Sequence, residues 1–291
     1  MIEGINYGFS VAVQSFSSSL LDILFRLISF FGNPVFWLAI ASFFYWSGRE
    51  KKGIFLVNLV VIVSASVAAF KSLFSTPRPS GLRVVEENML PRQFSYDPID
   101  YSFPSGHSAM VSSAFAWLGK DLKRAVFLVA LMPVAVALSR IYLGKHWLSD
   151  VIAGLFLGLL LGIINGRLSS RFEKIEFNLK KISNEIIAAL IVLCLLIALI
   201  FVNIPLMAFA VAGFYLGFFI SRATGINQPK IGGKKAISKI AAGFAGLLVI
   251  GASALAFSGI SWLICIIAGM WVSLVFPYLY EKIAERMKAG I

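Results

Sequence analysis

Six ionisable side chains between residues 71 and 150 have the types and spacing that phosphate chemistry requires. They are Lys71, Arg78, His107, Arg140, His146 and Asp150. Three fixed cations can hold the oxygens of a phosphate, one imidazole can attack phosphorus, and a second can protonate the leaving group. The two imidazoles are also the only histidines of the chain. These side chains therefore indicate a site that binds and cleaves a phosphate ester.

The first group consists of a lysine and an arginine. Lys71 closes an apolar run, and Arg78 follows between Pro77 and Pro79, which keep it out of a continuing helix. The lysine ammonium is a compact charge and the arginine guanidinium is a planar group with several N–H donors, so the two can bind the oxygens of a single phosphate. Taken alone, both residues could equally be snorkelling side chains at a membrane boundary.

The second group is Pro104-Ser105-Gly106-His107, directly before a helical run from Ser108 to Leu118. Ser105 and Gly106 would then lie at a helix N-terminus, where free backbone N–H groups attract an anion and glycine permits close approach. A helix cap with an incidental histidine is the alternative.

The third group is Ser139-Arg140, followed by His146 and Asp150. A spacing of four places Asp150 one turn from His146 on the same helical face. The carboxylate can orient the imidazole and leave its other nitrogen free to attack. A simple polar pair at a helix start is the alternative.

The composition predicts an all-α, polytopic helical membrane protein, because 59% of the 291 residues are hydrophobic and 14% are charged. The formal charge of +12 does not indicate nucleic acid, since the basic residues lie in short connections between apolar runs. We expect about nine transmembrane helices, with a catalytic helical bundle followed by extra C-terminal helices. The predicted spans are Pro34–Ser47, Gly53–Phe74, Ser105–Leu118, Ala125–Leu138, Trp147–Ile164, Ile186–Val202, Pro205–Ser221, Ile240–Phe257 and Ile260–Tyr280.

Loop charges predict the orientation of these spans. Alternate connections and the C-terminal tail carry 19 of the 26 basic residues, which places them in the cytoplasm. The N-terminus and the candidate site would then lie on the non-cytoplasmic side of a cell or endomembrane membrane. Residues 1–170 are predicted to form the catalytic bundle with an N-terminal amphipathic segment, which lies at the interface or packs on the bundle. Residues 171–185 would be a charged cytoplasmic linker helix, and residues 186–291 accessory transmembrane helices.

The three groups together resemble the signature of the type 2 phosphatidic acid phosphatase superfamily, which includes lipid phosphate phosphatases, glucose-6-phosphatase and vanadium haloperoxidases. That signature reads Lys, six residues, Arg-Pro; Pro-Ser-Gly-His; and Ser-Arg, five residues, His, three residues, Asp. The chain matches it at every position from Lys71 to Asp150. The resemblance covers about the first 170 residues. The stretch from Ser139 to His146 looks particularly like the sphingosine-phosphate phosphatase branch, and nine spans with an outer N-terminus look like glucose-6-phosphatase.

The resemblance implies a role for each residue. His146 would form a phosphohistidine, Asp150 would orient it, and His107 would protonate the leaving oxygen. The phosphate oxygens would be held by Lys71, Arg78, Ser105, Gly106 and Arg140. Neither a metal nor another cofactor is implied.

The expected function is therefore a metal-independent phosphatase of lipid phosphates or diphosphates, with polyprenyl or dolichyl (di)phosphate as the preferred substrate. Sphingoid-base phosphate, phosphatidate or a sugar phosphate are alternatives, and so is phosphate transfer to another lipid. A non-catalytic phospholipid-binding transporter or scaffold is an alternative of a different class. The expected partners are the lipid phosphate and the bilayer, with no nucleic acid, and the oligomeric state is left open.

Overall fold

The computed structural model describes residues 2–87, 100–119, 126–172, 206–225 and 234–289. Within these ranges the chain is helical and has no β-strand, which confirms the all-α class there. The helices are α1 (Ile2–Gln14), α2 (Ser19–Phe30), α3 (Pro34–Trp46), α4 (Glu50–Phe74), α5 (Gly106–Leu118), α6 (Val126–Tyr142), α7 (Leu148–Phe172), α8 (Leu206–Thr224), α9 (Lys234–Ala256), α10 (Ser261–Met270) and α11 (Phe276–Ala289). A 3₁₀ turn (Ser258–Ile260) precedes α10, and a π-helical stretch (Trp271–Val275) joins α10 to α11.

Five helical stretches are long and apolar enough to cross a membrane: Glu50–Phe74, Leu148–Ser170, Leu206–Thr224, Ala236–Ala256 and Ser258–Ile283. A sixth is possible if α1 and α2, which meet at an angle of 119°, count as one broken span. These helices fit a multi-pass membrane protein, but the predicted number of nine is not confirmed. The predicted span Ile186–Val202 lies outside the described residues.

Three of the predicted spans correspond to helices shorter than a typical transmembrane helix. Helices α3 and α5 have 13 residues each and α6 has 17. A helix of 13 residues is about 20 Å long, less than a hydrocarbon core of about 30 Å. Helix α5 is instead surrounded by protein, because nine of its 13 residues are buried. Its apolar sequence therefore reflects a protein core as much as a lipid environment.

The chain divides into two compact units. The first comprises residues 1–39, 55–92 and 99–174, and the second comprises residues 40–54, 93–98 and 175–291. Every candidate site residue belongs to the first unit. The three-part division made from the sequence stays a prediction, and most of the predicted linker helix at 171–185 lies outside the described residues.

Local signals fix the helix ends of the first unit. The Ser18 side chain caps α2 by accepting from the Leu21 amide, and the Asn33 side chain accepts from the Val35 amide at 2.8 Å where α3 begins. Buried Val85, Tyr142 and Leu143 form a cluster against which side chains of α1 and α2 pack. The N-terminal segment thus packs against the end of α6.

The second unit relies on close helix packing. A Cβ atom at Gly213 of α8 would lie 2.0 Å from the Ile266 carbonyl oxygen, and one at Gly269 of α10 would lie 1.9 Å from that of Ala210. The Trp46 indole donates to the Val272 carbonyl at 2.9 Å. Small residues at such contacts are what helix association in lipid requires.

Candidate active site

The N-terminus of α5 lies directly beside the first turn of α7. Ser105 caps α5, which begins at Gly106, and its hydroxyl oxygen accepts from the Ser108 amide. The Ser105 amide in turn donates to the Asp150 carbonyl oxygen at 3.0 Å. The tetrapeptide Pro104–His107 and the His146–Asp150 pair are therefore brought together by a backbone hydrogen bond.

Three glycines on one face of α7 set the distance between the two helices. An added Cβ would lie 2.5 Å from the Ser105 carbonyl oxygen at Gly154, 2.1 Å from that of Ala109 at Gly158, and 2.3 Å from that of Ser113 at Gly162. No side chain larger than hydrogen fits these positions without displacing backbone. Backbone contact, repeated every fourth residue, thus positions the two histidine-bearing helix ends.

His146 and Asp150 form a buried pair. The Nδ1 atom of His146 lies 3.5 Å from the Asp150 Oδ2 atom, and each side chain is 1% exposed. The same Oδ2 accepts from the Trp147 amide at 2.8 Å and from the Ser102 hydroxyl. These donors fix the carboxylate, which faces Nδ1, so that Nε2 is the imidazole nitrogen directed away from Asp150.

Arg78 lies next to His146 in the structure although it is distant in sequence. Its Nη1 donates to the Lys145 carbonyl oxygen at 3.0 Å, and its Nε donates to the exposed Asp100 carboxylate at 2.6 Å. The turn before Lys145 needs glycine, since Gly144 has φ of +70° and a Cβ there would lie 2.3 Å from the Arg83 carbonyl oxygen.

Lys71 joins the same group of residues through the connection that precedes α5. It lies in the last turn of α4 and is 2% exposed, and its Nζ donates to the Tyr101 carbonyl oxygen at 2.6 Å. The next residue, Ser102, is the one that donates to Asp150. A short chain of contacts thus links the Lys71 ammonium to the His146–Asp150 pair.

Arg140 is buried at the end of α6. Its Nη1 donates to the Ser29 hydroxyl at 2.7 Å and to the Glu87 carboxylate at 2.5 Å. Burial acts to raise the pKa of Glu87, but the charge of Arg140, and then that of His107, prevail and lower it to about 2. Glu87 is therefore an anion that contacts Arg140 and interacts with His107. His107 itself packs on Gly32, where a Cβ would lie 2.6 Å from the His107 Cβ.

All of the predicted site residues thus lie at the ends of α4, α5, α6 and α7 or in their connections, in one unit. Lys71, Arg140, His146 and Asp150 are each 3% exposed or less, so charged groups are concentrated in a buried environment. Such a group of cations beside two imidazoles can hold an oxyanion, attack it and protonate a leaving oxygen. Among the described residues, no group of three or more His, Cys, Asp or Glu side chains is placed to hold a metal ion.

Four polar residues around this group were not identified from the sequence: Asn6, Ser29, Glu87 and Ser102. The side chain of Asn6 donates to the Ser149 hydroxyl at 3.0 Å and accepts from the Ser149 amide at 3.1 Å, which fixes the start of α7. Asn6 lies in the amphipathic N-terminal segment, and no spacing relates it to the motifs. Its position between the apolar residues Ile5 and Tyr7 is the one signal that the sequence offers.

Comparisons with known proteins agree with this arrangement. Residues 52–174 match the model of a family described as the PAP2 superfamily. The chain is 29% identical to an undecaprenyl-diphosphatase of Sulfolobus acidocaldarius, over 60% of this chain and 86% of that protein. It is 25% identical to a probable sphingosine-1-phosphate phosphatase of Dictyostelium discoideum, over 50% of this chain but 38% of that longer protein.

A solved structure shares the fold. The chain superposes on a transmembrane PAP2 type phosphatidylglycerolphosphate phosphatase from Bacillus subtilis with a TM-score of 0.50 and 22% identity. The match covers 60% of this chain and 89% of the other. At this identity the similarity is one of helical architecture.

Proposed function

We propose that the chain is an integral-membrane phosphatase of the PAP2 superfamily, whose model matches residues 52–174. In this proposal it hydrolyses lipid phosphates or diphosphates without a metal. The observation that carries this proposal is the contact between His146 and Asp150 at 3.5 Å beside the capped N-terminus of α5. A binding protein or scaffold needs the cations of this site but has no need of an oriented imidazole.

In the proposed reaction, Nε2 of His146 attacks phosphorus while the bond from phosphorus to the leaving oxygen breaks. His107 gives its proton to that oxygen, so the product leaves as an alcohol or a lipid monophosphate. Neutral His107 then takes a proton from water, whose oxygen attacks the phosphohistidine and releases His146 and inorganic phosphate. The phosphate oxygens are held by Lys71, Arg78, Arg140, Ser105 and the Gly106 amide.

A lipid substrate is supported by apolar side chains beside the phosphate site. Leu73 and Phe74, which follow Lys71 by two and three residues, are 73% and 52% exposed. The Phe74 ring also contacts the ring of Phe103, two residues before Ser105, at a centroid distance of 5.1 Å. Exposed apolar side chains next to buried cations suit a substrate with a phosphate head and a long tail. We propose polyprenyl or dolichyl (di)phosphate, at the non-cytoplasmic face, as the preferred substrate.

The experiment is phosphate release by the detergent-solubilised chain from prenyl, sphingoid, glycerolipid and sugar phosphates, each with and without chelator. We expect turnover of lipid substrates that chelator does not change, and little of glucose-6-phosphate. Comparable turnover of the sugar phosphate would replace the lipid proposal, and tight phosphate binding without turnover would indicate a binding protein. Phosphate transferred to an added lipid would indicate a phosphotransferase.

The proposed contact between Leu73 and the lipid tail of the substrate can be tested separately. Leu73→Ser should raise KM for a long prenyl phosphate several-fold while leaving KM for a short-chain water-soluble analogue unchanged. Leu248→Ser is the matched control, since Leu248 is 76% exposed and belongs to the other unit. Equal effects of the two substitutions would remove the support that Leu73 gives to a tail-binding surface.

A further inference from the structure

Glu87 lies among the cations of the site, although nothing in the phosphatase signature calls for a carboxylate there. We propose that Glu87 is a positioning residue: it fixes the Arg140 guanidinium and keeps the His107 imidazole in its protonated form. This inference rests on the proposed phosphatase function and adds a residue to it. Glu87 itself does not touch the reacting atoms in this scheme.

The contact of Glu87 with Arg140 leaves a specific part of the guanidinium for substrate. The Nη1 atom donates to both Glu87 and Ser29, at 2.5 and 2.7 Å, so both of its N–H groups are used. The Nε atom is buried and has no hydrogen-bond partner among the described residues. A buried donor without a partner is costly, and a phosphate oxygen would satisfy it. Glu87 and Ser29 together therefore orient Arg140 for an anion rather than neutralise it completely.

The charge of Glu87 also acts on His107. Several described elements around this histidine carry charged or titratable groups. They are Asp22 and Arg26 on α2, Lys71 on α4, Arg78, Arg83, Glu86, Glu87, Asp100 and Tyr101 in the connection from α4 to α5, Arg140 on α6, and Lys145, His146 and Asp150 before and at the start of α7. Two of these carboxylates already have cationic partners, since Asp22 pairs with Arg83 and Glu86 lies 3.6 Å from the Lys145 Nζ. The cations among them disfavour an imidazolium, and Asp100 pairs with Arg78 at the surface. Asp150 is engaged by His146, Trp147 and Ser102. Geometry places Glu87 near this histidine: Glu87 and Ser29 accept from the same Arg140 nitrogen, and the Ser29 carbonyl accepts at 2.8 Å from the amide of Gly32, on which His107 packs. Among the described carboxylates, Glu87 is therefore the one we assign to stabilising protonated His107, with which it interacts electrostatically.

The neighbouring residue provides a matched control. Glu86 is 62% exposed at its side chain and lies 3.6 Å from the Lys145 Nζ, whereas Glu87 is 24% exposed and contacts Arg140. Glu86→Gln and Glu87→Gln therefore make the same change in net charge one residue apart. Glutamine at position 87 can still accept a hydrogen bond from Arg140, so this substitution removes the charge while keeping the contact.

The direct experiment is an NMR titration of the full chain in detergent with ¹³C-labelled histidine. The chain has two histidines, so two imidazole signals are expected, and a His146→Gln variant assigns them. We expect Glu87→Gln to lower the pKa of His107, because the substitution removes an opposite charge that favours the imidazolium. Glu86→Gln should leave that pKa within a few tenths of a unit of the wild-type value. Superimposable His107 titrations in the two variants would overturn the inference without touching the proposed function.

Enzyme kinetics give a second readout. The acid that donates to the leaving oxygen must be protonated. The alkaline limb of the pH profile of kcat/KM therefore reports the pKa of this acid. That limb should move to lower pH in Glu87→Gln, by the same amount as the NMR shift, and stay in place in Glu87→Asp, which retains the charge. A lower KM with an unmoved limb would mean that Glu87 competes with phosphate for Arg140, and would overturn the inference. Absence of turnover by the wild-type chain would overturn the proposed function itself.

Discussion

The amide of Ser105 donates a hydrogen bond of 3.0 Å to the carbonyl oxygen of Asp150. This bond joins the helix start that carries His107 to the helix start that carries the His146–Asp150 pair. Because it is made between backbones, it holds the two helix ends together independently of the site's side chains. The arrangement therefore depends on how closely α5 and α7 approach each other.

Gly158→Ala tests this packing. The new Cβ would lie 2.1 Å from the Ala109 carbonyl oxygen, so the helices must separate, at a cost of about 1–3 kcal/mol for overpacking. We expect a melting temperature several degrees lower and a reduced kcat, measured by thermal unfolding in detergent and by phosphate release. Gly251→Ala is the control, because a Cβ there meets nothing within 4 Å. Equal stability of the two variants would contradict the close contact.

Asp150→Asn tests the orientation of the nucleophile. The substitution keeps the shape but removes the negative charge that lies 3.5 Å from the His146 Nδ1, so we expect kcat to fall by about 10²–10⁴. Ser102→Ala removes one donor to the carboxylate and should cost about tenfold or less. Ser80→Ala, at an exposed position of the same connection, is the control and should be neutral. Wild-type kcat in Asp150→Asn would remove Asp150 from the mechanism.

Asn6→Ala tests whether the N-terminal helix supports the site. Two hydrogen bonds to Ser149, next to Asp150, would be lost, at about 1 kcal/mol each. We expect kcat to fall about three- to tenfold while KM changes little, because Asn6 positions α7 and does not contact phosphate. Ser15→Ala is the control, since the Ser15 hydroxyl donates to the Ala12 carbonyl within the same segment. If the two variants have the same kcat, α1 does not position α7.

Much of this site could be predicted from local sequence, and its surroundings could not. The cap at Ser105 and the position of Asp150 in the first turn of α7 depend on neighbouring residues, so local sequence predicts them. His146 differs from the expectation of a shared helical face, because it precedes Leu148, the first residue of α7. Glu87 and Asn6 find their partners through tertiary contacts that no spacing encodes. The same limit applies to helix length, because the apolar sequence of α5 predicts a membrane span whereas the helix has 13 residues, nine of them buried in protein.

Glu87→Gln tests how the charge of Glu87 contributes to the stability of the fold as the pH is lowered. The pKa of Glu87 is lowered from 4.5 to about 2 in the folded chain, so its ionised form stabilises the fold above about pH 4.5. That contribution falls as the pH decreases from 4.5 through about 2, and it is lost below that pH, where the carboxylate is protonated in both states. We expect wild type to melt at a higher temperature than Glu87→Gln at pH 6–7, with the difference shrinking below pH 4.5. A difference that does not change between pH 7 and pH 3 would show that the charge of Glu87 is not responsible for it.

Phosphate release from a long-chain polyprenyl diphosphate by His146→Ala, compared with wild type and Lys145→Gln, tests the proposed function most directly. Lys145 is the adjacent residue, and its substitution leaves intact the backbone carbonyl that accepts from Arg78. We predict that His146→Ala loses at least about 10³-fold in rate, because no nucleophile remains, while Lys145→Gln stays within a few-fold of wild type. Turnover by His146→Ala at a rate close to that of Lys145→Gln would contradict it.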